Sequence, residues 1–496
     1  MTNNNSDSLN EMEFNCSIEN KVKEMIPWGK VMNRILIGTA ISTITLNFWG
    51  LNYILSTIGI IMSLLGFRTL RRENSWFKGC WVIALIRLAY FLSTMILNAT
   101  IYQRTVYASS MFSVITAVNL VIIFSLFFCL WRGFKAVQKK VGLAPHAGGI
   151  VALIIWYAII CLLAFLQYNG IIIPLILVVS YVIIIRKLFK LSRELDEAGH
   201  AVKTPLVKIS NRVVVIVIFT ILTIGITCGY LFFNSYPMEW QVAEVSEDTD
   251  LVEIKEHLID LGLSKAILED LTDEDIKACE GAMRVVVNAH DYSVNDGSQV
   301  QENIGNTTHH YTVYDVEELR ITGIGVELPG ERKQWKIFHH FLFTADPGFY
   351  GTESIQLWPA YREGRGWGAA SDITGQVLYN MDGQVYVAPY FFMGSETYTS
   401  NSIIWGDQTS TDIFATFSMP QNGENHRGYV SYVMEEIQDG WIINSWFNYT
   451  HQKNRIQYPV MTAMEKRITN GWNNAGAFLT IQDALQFFPD DGDYNH

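Results

Sequence analysis

Arginine, tryptophan and glycine crowd the run Tyr361-Arg362-Glu363-Gly364-Arg365-Gly366-Trp367-Gly368. Guanidinium forks and indole rings on a glycine-flanked loop are the groups that anchor recognition surfaces, because each offers several donors or a large rigid area. Arg362, Arg365 and Trp367 are therefore the candidate ligand contacts. Arg87 is a different case, because it stands in the apolar run from Val82 to Tyr90. A cation in hydrocarbon is costly. It either snorkels and bonds backbone carbonyls to fix helix packing, or holds an anion or lipid headgroup between helices. Asn47, Asn98, Asn119 and Tyr181 are the polar side chains able to bond it.

Other chemistry-bearing residues assemble less well. His309-His310 and His339-His340 lie in strand-like runs, where neighbours point to opposite faces, so neither pair grips one metal by itself. Asp291, Ser293, Asn295 and Glu302 fall at positions 1, 3, 5 and 12 of a calcium-loop pattern, but the sixth position, which needs glycine, is Asp296. Asp490-Asp491-Gly492-Asp493 reads as a solvated tail. Glu435, Glu436, Asp346 and Glu363 are candidate glycosidase carboxylates. With 39 Asp+Glu after residue 234, such a pair arises from composition alone. The outer half has no Gly-x-Ser-x-Gly and no His-Glu-x-x-His, and the chain has no Gly-x-x-x-x-Gly-Lys-Ser/Thr phosphate loop. No catalytic residue, metal or cofactor is assigned.

The elements that position these residues divide near Asn234. Before it, Ile35 to Phe67, Gly79 to Ala99, Ala108 to Trp131, Gly149 to Gln167, Ile171 to Ile185 and Val213 to Phe233 are long and almost uncharged, as a bilayer interior requires. The first run is too long for one straight span and reads as a hairpin turning at Phe48 to Tyr53. Asn169-Gly170 marks another turn, with Pro174 tolerated in the helical turn after it. The sequence thus predicts about seven transmembrane helices within residues 31–234. Residues 188–211 read as a basic juxtamembrane helix.

Charge sets the expected orientation. Residues 235–496 hold 15 Lys+Arg against 39 Asp+Glu, whereas the remainder holds 21 against 9. The basic side chains gather in alternate connections, and the opposite set has Arg104 alone, so the positive-inside rule places the basic loops in the cytoplasm. The tail 1–30 is then expected inside, with no removable signal peptide, and the acidic half outside. Acidity argues against nucleic acid as a partner. Cys279 is the acidic half's single cysteine, which rules out an internal disulfide or a zinc framework there.

The acidic half has two patterns. Leu251, Ile254, Leu258 and Leu261 recur at helical spacing, Gly262 ends the helix, and Ser264 and Thr272 with Asp275 cap two more. Residues 235–283 are thus a three-helix linker. From 284 the period is two, over Arg284 to Val287, Tyr311 to Tyr314, Trp335 to Phe338, Ser354 to Trp358, Gln384 to Val387 and Gly428 to Val433. Asp382-Gly383 and Asp439-Gly440 are expected hairpin turns, and Ile481 to Phe488 a short helix. The fold class expected for 284–496 is an all-β antiparallel sandwich, jelly-roll-like. Its dense aromatics are expected in the core.

The function class that follows is an integral membrane protein, in a bacterial plasma membrane, whose extracytoplasmic β domain binds or senses a glycan, a peptide or a membrane-protein partner. A transporter component and a membrane-tethered hydrolase are the rival classes.

Overall fold

A computed structural model describes residues 24–43, 50–166, 168, 170–204, 209–243, 249–294, 298–304, 307–313, 316–357, 366–370, 373–402, 406–438, 440–469 and 476–489. The chain divides into two compact units, Met1–Tyr230 and Leu231–His496.

The first unit is helical. Its elements are α1 (Trp28–Thr43), α2 (Leu51–Leu70), α3 (Ser75–Leu97), α4 (Gln103–Ala108), α5 (Ser110–Lys140), α6 (Gly148–Phe165), α7 (Ile172–Glu197) and α8 (Asn211–Phe232). Six of them, α2, α3, α5, α6, α7 and α8, are long and apolar enough to cross a membrane. The two arms of the expected hairpin, α1 and α2, pack side by side; α1 is described over 16 residues, and residues 48 and 49 of the expected turn lie outside the described residues. Among the described residues, six helices are of spanning length.

Close approach holds α1 against α2. A Cβ added at Gly59 would lie 2.5 Å from the carbonyl oxygen of Gly38, and one at Gly38 would lie 2.6 Å from that of Gly59. Helices that share lipid as solvent gain nothing from burying apolar surface against each other, so small residues and tight van der Waals contact must supply the association. At the charged end of the helices, β1 (Glu24–Pro27) pairs antiparallel with β2 (Ala201–Thr204). Gly29 N donates to Asp196 Oδ1 at 2.8 Å. Glu73, buried at 7% side-chain exposure, takes Lys140 at 2.6 Å and His200 at 3.3 Å. The expected juxtamembrane helix ends early, at Glu197, because Gly199 turns into the left-handed region and β2 follows.

The second unit opens with β3 (Gln241–Val242) and three short helices, α9 (Thr249–Asp260), α10 (Lys265–Leu268) and α11 (Asp273–Lys277). Thr272 caps α11 as its spacing from Asp275 predicts, accepting from Asp275 N at 3.3 Å and donating to its carboxylate at 3.0 Å. The strands β4 (Arg284–Tyr292), β7 (Leu319–Leu328), β8 (Gln334–Phe343), β10 (Gly366–Ala369), β11 (Thr374–Met381), β12 (Gln384–Ala388) and β15 (Glu424–Gln438) join β3 in an eight-stranded sheet. A five-stranded sheet runs β13 (Phe392–Ser402), β14 (Gly406–Phe417), β9 (Glu353–Leu357), β16 (Ile443–Gln452) and β17 (Phe478–Phe487). Strands β5 (Ser298–Ile304) and β6 (Thr307–Val313) form a separate hairpin, and α12 (Ala463–Thr469) precedes β17. All pairings are antiparallel.

Strand β8 shows how the layers meet. Trp335, Ile337, Phe341 and Phe343 enter one buried cluster with Ile355, Leu357, Phe417, Phe447 and Tyr449 of the other sheet. Phe338 points the other way, into a cluster with Leu258, Leu268 and Ile276 of the helices. The eight-stranded sheet therefore has a core on each face, one shared with strands and one with helices. Asp382 and Gly383, at φ 51 and 76, make the expected tight turn between β11 and β12.

Two expectations fail. Ile481 to Phe487 lies in β17, where residues Ile443–Gln452 pair with Phe487–Phe478 and tertiary pairing overrides a local apolar spacing that suits a helix. Asp439-Gly440 does not join a hairpin: β15 and β16 belong to different sheets, and Asp439 lies outside the described residues. Gly59→Val should push α1 off α2 and destabilise the first unit by about 1–3 kcal/mol. Thermal unfolding of purified protein in lipid nanodiscs measures it, and an unchanged melting temperature would refute the tight seam.

Candidate functional site

The site is built where the helices cover the eight-stranded sheet. Asp270 lies in the turn between α10 and α11, fixed when its amide donates to the Ile267 carbonyl at 3.0 Å. Its carboxylate reaches two strands at once. Oδ2 bonds His340 Nε2 on β8 at 2.9 Å, and Oδ1 accepts from Arg427 Nε on β15 at 2.6 Å. Gln376 on β11 donates to the Asp270 carbonyl at 2.9 Å. Arg427 is held further by Asn380 Oδ1 at 2.9 Å and the Asn425 carbonyl at 2.8 Å. Asp270 thus clasps the bundle to three strands, two through its carboxylate and one through its carbonyl, at 5% side-chain exposure.

A second clasp lies beside it. Asp275 accepts from Lys336 at 2.7 Å, Thr374 at 2.7 Å and Tyr429 at 2.6 Å. Burial alone would raise its carboxyl; the Lys336 ammonium and these donors outweigh burial and hold it below the usual carboxylate range. Lys336 stands at 6% side-chain exposure, so this pair is a structural fastener with no route to solvent chemistry.

The Asp270 clasp, by contrast, forms the wall of a cleft of about 560 Å³. That volume lies in the range of small-molecule sites. Ile267, Val287 and Leu342 give apolar walls, and Arg320, Thr322 and Ser264 add polar groups. Arg320 is oriented by a bidentate pair with Asp291, at 2.7 and 2.8 Å. Those bonds hold the Asp291 carboxyl below its usual range. Among the described residues, Arg320 Nη1 and Arg427 Nη2 take no hydrogen bond, so each arginine keeps a donor for a guest. The cleft is equipped to recognise a compact molecule with acceptor groups: two oriented guanidinium groups, two hydroxyls and apolar walls.

Buried histidines elsewhere are structural. His339 faces the shared core, bonds Ser445 Oγ at 2.6 Å and stacks on Phe447. Burial pushes it down to about 4, the Asp483 carboxylate opposing only in part. His451 and Glu353 pair at 2.9 Å with no solvent exposure. The alternation expected for His339-His340 is what sends one ring to each core.

The residues singled out by sequence are scattered. Arg362 and Arg365 lie outside the described residues. Trp367 is on β10, 8% exposed and part of the core, and its indole nitrogen has no partner among the described residues. Arg87 is half-buried on α3 and interacts electrostatically with Tyr157 and Tyr181. Tyr157 bonds Thr43 Oγ1 at 2.7 Å and Tyr181 donates to the Thr39 carbonyl at 3.3 Å. Asn98 accepts from Tyr107 instead, and Asn47 lies outside the described residues. The calcium-loop pattern spreads over β4 and β5, with Asp291 committed to Arg320 and Ser293 donating to the Val316 carbonyl at 2.7 Å. Among the described residues no group of His, Cys, Asp and Glu is placed to hold a metal. Glu435 pairs with Arg332 at 2.6 Å, and Asp346 accepts from Gly348 N at 2.8 Å.

Asp270 and Arg427 were not singled out by sequence, and His340 was weighed there only as half of a metal pair. The available signal for His340 was a polar pair inside an otherwise apolar strand run, Phe338-His339-His340-Phe341.

Asp270→Ala removes the carboxylate partner of buried His340 and of largely buried Arg427 and should cost about 3 kcal/mol. Arg320→Ala breaks a pair exposed at 48% and 33% and should cost about 1 kcal/mol or less. Denaturant unfolding followed by tryptophan fluorescence compares them, and equal losses would contradict this assignment. A pH series tests His339. The unfolded chain takes its proton near pH 6.5 while the folded chain refuses it until about pH 4, so stability contributed by neutral His339 is lost as pH falls through that window. His339→Gln should flatten the profile there by up to about 1.4 kcal/mol per pH unit. No protein-family model matches this chain, and no curated protein gives a significant match to it.

Proposed function

We propose that the protein is a membrane-anchored binding or sensing protein whose β-rich unit takes a small polar ligand in the Asp270–His340–Arg427 cleft. The observation that carries this reading is the coincidence of cleft and clasp: the groups that would meet a ligand are the same groups that fasten the helical bundle to the sheet. An acceptor group arriving at Arg427 Nη2 shares with Asp270 the positive charge of one guanidinium. Occupancy is thereby coupled to the fit of bundle on sheet, and a differential affinity for two arrangements is what a sensor requires.

The ligand classes that suit this chemistry are short peptides, through a terminal or side-chain carboxylate, and sugars, through hydroxyls on the arginines and a ring face on Val287 and Leu342. We read the two sheets as a sandwich and α1 as a seventh, short crossing. That count keeps the basic loops and the N-terminal tail in the cytoplasm and carries residues 235–496 to the outside of the plasma membrane. Arg362 and Arg365 remain a second candidate contact surface on this unit.

Full-length protein in nanodiscs, titrated with short-peptide and oligosaccharide panels by calorimetry, should bind members of one class. Arg427→Gln should weaken that binding about tenfold or more, since a charge-assisted hydrogen bond of about 1.5–3 kcal/mol is lost. Binding indifferent to Arg427→Gln and to a cleft-filling Thr322→Trp would refute the site, and release of cleaved products would favour the hydrolase class. The orientation is checked separately: Asn422→Cys should react with an impermeant maleimide on intact cells.

A further inference from the structure

The chain leaves α8 at Phe232 and is pinned almost at once. Asn234 Nδ2 donates to the Arg455 carbonyl at 3.5 Å, and Tyr236 N donates to Ser418 Oγ at 2.9 Å. Extended chain advances at most about 3.6 Å per residue, so Arg455 and its neighbours stay within roughly 10 Å of the end of a membrane-crossing helix. This part of the surface is apolar and aromatic. Ile456 is 81% exposed, and Phe233 and Phe391 are exposed by nearly half. The Tyr236 ring stacks on Phe391 at 4.6 Å, and the Arg455 guanidinium lies over the Phe349 ring at 5.5 Å.

Its charge is also the reverse of its surroundings. No Asp or Glu occurs between Asp439 and Glu465, in a half that carries 39 of them, and the charges within that stretch are Lys453 and Arg455. Much of the stretch is the buried strand β16; its exposed part, Asn454 to Ile456, presents a cation beside an aliphatic tip. Exposed aliphatic tips, aromatic rings and arginine are the composition that the boundary between headgroups and acyl chains accepts, with the cation held at anionic headgroups.

We propose that the rim formed by Tyr236, Phe349, Phe391, Arg455 and Ile456 docks on the bilayer that α8 crosses, Ile456 entering the acyl boundary and Arg455 bonding an anionic lipid headgroup. The docking depends on chain continuity with α8 and holds whichever side of the membrane the unit occupies. It is independent of the cleft.

The test uses full-length protein carrying Ile456→Cys labelled with an environment-sensitive fluorophore, in nanodiscs of phosphatidylcholine with or without phosphatidylglycerol. Shallow lipid-borne spin labels should quench the fluorophore more than an aqueous nickel chelate does, and more strongly with phosphatidylglycerol present. Arg455→Glu should lower the lipid-quenched population about fivefold in the anionic discs, the factor expected for one basic side chain near such a surface. Quenching by the aqueous reagent alone overturns the proposal. Protection from both reagents overturns it too, because the rim would then be covered by protein, such as a second copy. A response insensitive to lipid charge and to Arg455→Glu removes the headgroup contact. The cleft variant Arg427→Gln should leave all these readings unchanged, which separates this result from the fate of the ligand site.

Discussion

Strand β8 must satisfy two cores, and the β-rich unit follows from that constraint. Trp335, Ile337, Phe341 and Phe343 commit one face to the second sheet, whereas Phe338 commits the other to the helices. A polar side chain on a strand so placed has no water to turn to and must find its partner within the protein. Lys336, His339 and His340 each do so, with Asp275, Ser445 and Asp270. The two carboxylates come from the helical segment, so burial of the sheet's outer face and attachment of the bundle are one event. Where the attachment reaches the surface, next to Arg320, it leaves the cleft.

Much of this architecture was legible in the sequence because it is local. Hydropathy marked the spanning helices, since an uncharged run of about 20 residues has few alternatives. Thr272 and Asp275 capped a helix at their own spacing, and Asp382-Gly383 made its turn. What stayed hidden depends on residues far apart. Ile481 and Leu485 have a helix-like spacing, but their segment became a strand because β16 was there to pair with it. The candidate site was hidden for the same reason: Asp270 meets partners 70 and 157 positions away, and no spacing rule spans such distances. Trp367 lies in the core rather than on an open loop, with Gly440 packed against its indole ring and Gly368 against Ile437.

The helical unit obeys a different economy. With no acidic residue from Arg34 to Arg193 other than Glu73, the polar interactions among its helices are made by neutral groups such as the Thr43 hydroxyl, the Tyr157 and Tyr181 phenols and the Trp156 indole. Thr43, Tyr157, Thr39 and Tyr181 link α1 to α6 and α7, near Arg87 on α3. These neutral groups let an arginine be accommodated without a buried counterion. Glu73 is held back for the charged end, where it ties Lys140 to His200.

Pairing of β1 with β2 places Glu24 opposite Thr204. The first of these strands precedes α1 and the second follows α7, so the ribbon closes only when the helices between them have brought both strands to one end of the helical unit.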